Sequence, residues 1–218
     1  MFLILLLSFS MPLMDTVVVN KSLSIGPEDT LYISVDNGNI SLIGTKGNKV
    51  KIKSLLIYPR GKEIRRPDLK VSKFPHKIVV EGKVKAPNMY SKTDLVVYIP
   101  ENVVTMAVVV NGHVNIDGIN GRITVQNTNG GIEFRGIRGT LSLKCTNGGV
   151  SGEVSREDTV IIQSANGPVN LKIDAEKPLI RVHAAHGEVY SDFPLNKKEG
   201  KPVVRIVASN GDVYIRKK

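Results

Sequence analysis

A single cysteine, Cys145, excludes any internal disulfide and any thiol pair. Tryptophan is absent and aromatics make up only 5% of the chain, so aliphatic residues must supply the core. No apolar face recurs at helical spacing for more than about two turns, which leaves almost no helix to expect. The longest apolar run, Phe2 to Met14, is broken by Ser8, Ser10 and Pro12. It would make about 20 Å of helix, short for a bilayer span. Phosphate loops and nucleophile elbows are missing too, which removes the commonest sequence signs of catalysis.

What is present is Val, Ile and 20 glycines, a composition of strands and turns. From Val108 to Ile215 one phrase recurs: an alternating apolar run, a corner, then a second apolar run. The corners fall at Asn111-Gly112, Asn129-Gly130, Asn147-Gly148, Asn166-Gly167, His186-Gly187 and Asn210-Gly211, and Asn37-Gly38 begins an earlier one. Steps of about 18 to 24 residues mark a repeat architecture.

Counting back six, four and two residues from each corner gives two large apolar residues and one small one. Examples are Ile123, Val125, Asn127; Leu141, Leu143, Cys145; and Val160, Ile162, Ser164. Three residues after each corner stands Val114, Ile132, Val150, Val169, Val189 or Val213. This parity puts one face of each strand inside. Asn and Gly both tolerate positive φ, as His does to a lesser degree, so the corners read as left-handed turns. The aligned Asn residues would form a hydrogen-bonded column.

The fold class expected is therefore all-β: a β-solenoid of about 18–24-residue coils with Asn-Gly corners, stacked in parallel. An antiparallel hairpin repeat or β-sandwich is the alternative, because Asn-Gly is also the strongest short hairpin signal. Residues 1–14 read as a signal peptide or N-terminal hydrophobic segment, with Ser8-Phe9-Ser10 the nearest cleavage motif. An apolar first strand and an uncleaved anchor are the other readings. Residues 15–218 read as a single domain, less regular over 15–100 and regular over 101–218.

The net charge of +10 is concentrated. Between Lys46 and Lys92 stand 14 Lys and Arg against Glu63, Asp68 and Glu81, a balance of 14 − 3 = +11. Lys51, Lys53, Arg60, Lys62, Arg65, Arg66, Lys70 and Lys73 are the candidate polyanion-binding residues. Candidate partners are anionic envelope polymers, a membrane surface or another envelope protein, rather than nucleic acid. Edge lysines that only prevent aggregation are the plainer explanation.

Candidate chemistry is thin. Glu188 and Asp212 share an outward column, but Pro168, Gly149 and Gly131 precede them there, so no acidic cleft extends along it. His183 and His186 fall on opposite faces of a strand, and no cofactor or metal motif appears. Tyr190 and Tyr214 share the column four after the corner and should stack as a candidate partner contact. Self-association through the last coil is opposed by Arg216, Lys217 and Lys218.

Ser34-Val35-Asp36-Asn37-Gly38-Asn39-Ile40, Val97-Tyr98-Ile99-Pro100, and the Asn-Gly-Gly steps at 129 and 147 resemble the putative-adhesin family of β-strand repeat proteins of the bacterial envelope. The resemblance spans nearly all of residues 15–218 and implies an exported or membrane-attached β-solenoid. No catalytic residue comes with it. The expected function is a non-enzymatic envelope or surface-associated binding or structural module. The alternative is a carbohydrate-active enzyme, for which an outer face should gather at least two carboxylates beside a basic residue.

Overall fold

The computed structural model describes residues 13–26, 28–62, 66–84, 91–156, 158–195 and 202–218. Every regular element among them is a strand, and there are nineteen. They form two mixed sheets, one of ten strands and one of nine. Aliphatic side chains from both inner faces make one continuous buried cluster. The layout is sandwich-like, as in the alternative reading of the sequence.

The repeats begin with β8 (Val104–Asn111) and β9 (Val114–Asp117), followed by β10 (Asn120–Asn129) and β11 (Ile132–Arg135). Next come β12 (Arg138–Asn147), β13 (Val150–Val154), β14 (Thr159–Asn166) and β15 (Val169–Ile173). Each Asn-Gly corner carries the chain from the nine-stranded sheet to the ten-stranded one, so it does not close a hairpin. Neighbouring strands are parallel and in register, with Asn111, Asn129, Asn147 and Asn166 side by side. The predicted inward columns are buried: Ile123, Val125, Leu141, Leu143, Val160 and Ile162 are at most 1% exposed.

The corner conformation differs from expectation. Glycine alone takes positive φ there, 123° at Gly130 and 146° at Gly148, while only His76 and Asn102 among described non-glycine residues do so. A Cβ at Gly130 would also collide with the Gly112 carbonyl, and one at Gly148 with that of Gly130. Asparagine serves the corner through its side chain. Asn129, Asn147 and Asn166 each donate from Nδ2 to the Oδ1 of the preceding Asn, at 2.8–2.9 Å. His186 therefore has no backbone reason to be there.

Three of the small inward residues before the corners, Asn127, Cys145 and Ser164, face corner carbonyls, while Ala184 and Ala208 hold the same place in the last two repeats. Asn127 donates to the carbonyls of Gly112 and Gly130 at 2.9 Å, and Ser164 to that of Gly167 at 3.2 Å. The Cys145 thiol lies 3.2 Å from the Gly148 carbonyl. These bonds satisfy corner carbonyls turned away from the strand ladder.

Stacking order departs from chain order at both ends. β16 (Leu179–His186) and β17 (Val189–Ser191) form the outermost coil, and β18 (Val203–Asn210) and β19 (Val213–Lys217) lie between it and β14–β15. Asn210 accordingly bonds Asn166, 44 residues away. The 216–218 segment is thus not at the open edge. Val189, predicted inward, is 36% exposed because no coil covers β17.

The first half holds β1 (Met14–Ser24), β2 (Thr30–Asn37), β3 (Ile40–Thr45), β4 (Lys49–Pro59), β5 (Asp68–Phe74), β6 (Lys77–Lys83) and β7 (Lys92–Pro100). β2 and β3 form a coil between β6–β7 on one side and β8–β9 on the other. Beyond it β4 pairs antiparallel with β7 and β1, and β5 with β6. The first strand thus starts at Met14, while residues 1–12, with the candidate cleavage motif, lie outside the described residues.

Candidate functional site

The basic segment does not form one patch. On β4 alternate residues face outward, so Lys49, Lys51 and Lys53 line up about 7 Å apart. Their register partners are Ser24, Ser22 and Asn20 on β1, with Tyr98 and Val96 on β7. None is acidic, and the Lys53 ammonium sits 5.7 Å from the Tyr98 ring centre. The other candidates are dispersed. Arg60 is engaged with Asp15 at 3.0 Å, Lys62 and Arg66 are exposed outside strands, and Arg65 lies outside the described residues. Lys70 and Lys73 belong to β5 of the other sheet. Lys70 stands opposite Glu81, which its hydrogen bond with Lys83 holds below the usual carboxylate range. Lys73 donates to the Ser24 carbonyl at 2.9 Å.

A second feature on the same sheet face was not legible in the sequence. Across β11, β13, β15 and β19 the outward residues Glu133, Ser151, Asn170 and Tyr214 stand in one row. Glu153, Lys172 and Arg216 stand in a parallel row, two residues further on. Ser151 and Asn170 are short and their flanks are long, which leaves an open groove of about 470 Å³.

The groove's charges are largely tied. Arg135 meets Asp117 at 2.7 Å, Glu153 meets Lys218 at 2.7 Å, and Arg216 meets Asp192 at 3.2 Å. The Lys218 hydrogen bond holds Glu153 below its ordinary pKa, and the Lys217 backbone N–H does the same for Asp192. Glu133 and Lys172 make no ion pair among the described residues.

Tyr190 and Tyr214 stack as expected, with centroids 5.0 Å apart and planes 6° from parallel. The Tyr214 hydroxyl donates to Asp212 at 3.0 Å, and that of Tyr190 to Glu188. Those bonds raise both phenol pKa values, Tyr190 to about 12. Glu188 and Asp212 therefore act on the tyrosines, which is a positioning role. Among the described residues no group of three or more His, Cys, Asp or Glu could hold a metal ion. No described helix is long and apolar enough to cross a membrane.

The fold recurs in a solved protein. A putative cell adhesion protein from Clostridium sporogenes superposes with a TM-score of 0.53 at 14% identity, covering 93% of this chain and 100% of that one. A putative adhesin from Bacteroides fragilis is 10% identical with a TM-score of 0.41, covering 93% and 97%. A putative lipid binding protein from Parabacteroides distasonis is 10% identical with a TM-score of 0.38, covering 92% and 96%. At 14% identity the likeness to the Clostridium sporogenes protein is one of fold. No family model and no curated protein matches the chain.

Proposed function

We propose that this protein is a non-enzymatic, exported β-solenoid of the cell envelope or surface, a single domain over residues 15–218 that binds anionic envelope polymer through β4. The observation that carries the reading is the row of Lys49, Lys51 and Lys53 with only neutral cross-strand partners. Three like charges on alternate residues of one strand repel one another in a free protein, and a polymer with regularly spaced anions relieves that repulsion. The fold shared with the Clostridium sporogenes protein fits a surface role.

The groove supports a second reading, a carbohydrate-active enzyme. It gathers Glu133 and Glu153 beside Arg135 and Lys172, the constellation such an enzyme needs on an outer face. Against it, glycoside hydrolysis requires one carboxyl with a raised pKa, and Lys218 pushes Glu153 the other way.

The deciding experiment measures retention of the whole protein on immobilised polyphosphate and dextran sulfate at low and high salt. Retention should fall steeply with salt and be lost in Lys51→Glu/Lys53→Glu. Retention that ignores both changes overturns the polymer reading. Release of reducing ends from neutral oligosaccharides, abolished by Glu133→Gln, would instead establish the enzyme.

A further inference from the structure

We propose that the groove across β11, β13, β15 and β19 is a binding site for a neutral oligosaccharide, with the free face of Tyr214 as its stacking wall. The site is independent of the lysine row, since β7, β3 and β9 lie between them in the sheet.

Shape comes first. The row Glu133, Ser151, Asn170, Tyr214 is tall at its ends and low in the middle, so two short polar side chains make the floor and a ring makes one end. Four adjacent strands span about 14 Å, the reach of a short oligosaccharide rather than of one sugar. The hollow lies on rigid sheet, so its form exists before any ligand arrives.

The wall is equally fixed. Tyr190 covers one face of the Tyr214 ring and Asp212 holds its hydroxyl, so the ring cannot turn away. Its other face is turned towards Asn170 and the groove. A ring held in this way loses little side-chain freedom when a ligand stacks on it. A pyranose offers the matching surface: a patch of C–H groups for the ring and hydroxyls around it for the floor.

Charge selects against other ligands. Arg135, Glu153 and Arg216 already have partners of opposite sign, and Glu133 and Lys172, which make no ion pair among the described residues, are of opposite charge and cancel. An anionic ligand would meet Glu133 and Glu153, and a cationic one Lys172 and Arg216. Hydroxyl groups, which both donate and accept, can use all of them without leaving a charge uncompensated.

The test titrates the whole protein with cellotetraose, chitotetraose, mannotetraose and maltotetraose, following intrinsic tyrosine fluorescence, since the chain has no tryptophan to mask it. At least one should bind saturably, with an affinity insensitive to salt. Tyr214→Ala should weaken it about tenfold, whereas Tyr214→Phe, which keeps the ring, should bind nearly as well as the parent. Ser151→Phe fills the floor without touching the wall and should abolish binding, and Lys51→Glu/Lys53→Glu should leave it unchanged. Failure of all four sugars, or binding that survives both Tyr214→Ala and Ser151→Phe, overturns the proposal. Because the lysine row is tested with charged polymers, either conclusion can fail without the other.

Discussion

The ring of Phe134 fills the space that a side chain at Gly152 would need. The two are register partners on β11 and β13, and a Cβ built on Gly152 collides with the ring. Phe134 is 1% exposed and is the largest fully buried side chain among the described residues. One large and one absent side chain thus keep that layer at normal density.

Gly152→Val should destabilise the protein by about 1–3 kcal/mol through overpacking, and Phe134→Ala by about 3–5 kcal/mol through the cavity it leaves. The double variant should cost less than the sum, because the valine enters part of the vacated space. Urea denaturation of all four proteins measures this coupling, and strict additivity would refute it.

The asparagine column makes a graded prediction. Asn147 donates to Asn129 and accepts from Asn166, so Asn147→Ala removes two bonds and should cost about 1–2 kcal/mol. Asn111→Ala removes one bond of the column and a long 3.4 Å bond to the Asp36 carbonyl, and should cost less. His186→Asn should be stabilising, because its new amide can reach Asn210 and extend the column to the outermost coil. Denaturant midpoints at constant m decide each case.

Acid should loosen β19 before the rest. Glu153 and Asp192 have folded pKa values below their unfolded values near 4, so their contribution is complete above about pH 4. It is lost as pH falls through the depressed folded values. Amide exchange at Val213 to Lys217 should accelerate on acidification while β10 and β12 stay protected. Glu153→Gln/Asp192→Asn should remove the pH dependence at that strand.

Cys145 is 1% exposed and burial pushes its thiol pKa up. The folded state therefore keeps a proton that the unfolded thiol loses above about pH 8.5, so stability should decline as pH rises through that value. Cys145→Ser should remove this decline. A thiol reagent should label the native protein only as it unfolds.

Much of this architecture could be read from residue parity alone. The columns Ile123, Leu141, Val160 and Val204 are buried as expected because one-residue steps decide the face in any strand. The Tyr190–Tyr214 stack followed from equal distances to two corners. Two things were hidden. Glu133, Ser151, Asn170 and Tyr214 look like unrelated surface residues until four strands are laid side by side. The order of the end coils depends on which edge a strand joins, and parity is identical either way; only the longer 20- and 24-residue steps around His186 hint at it.

The misplaced end coils also mean that the order of synthesis is not the order of assembly. On the ribosome, β16 and β17 emerge before the coil that they rest against, so they have no permanent seat until residues 203–217 appear. At the other end, β2 and β3 must wait for neighbours on both sides. A nascent chain halted after residue 195 would hold β2–β3 and the four coils from β8 to β15 in place, with one border, at β14 and β15, still waiting for β18 and β19.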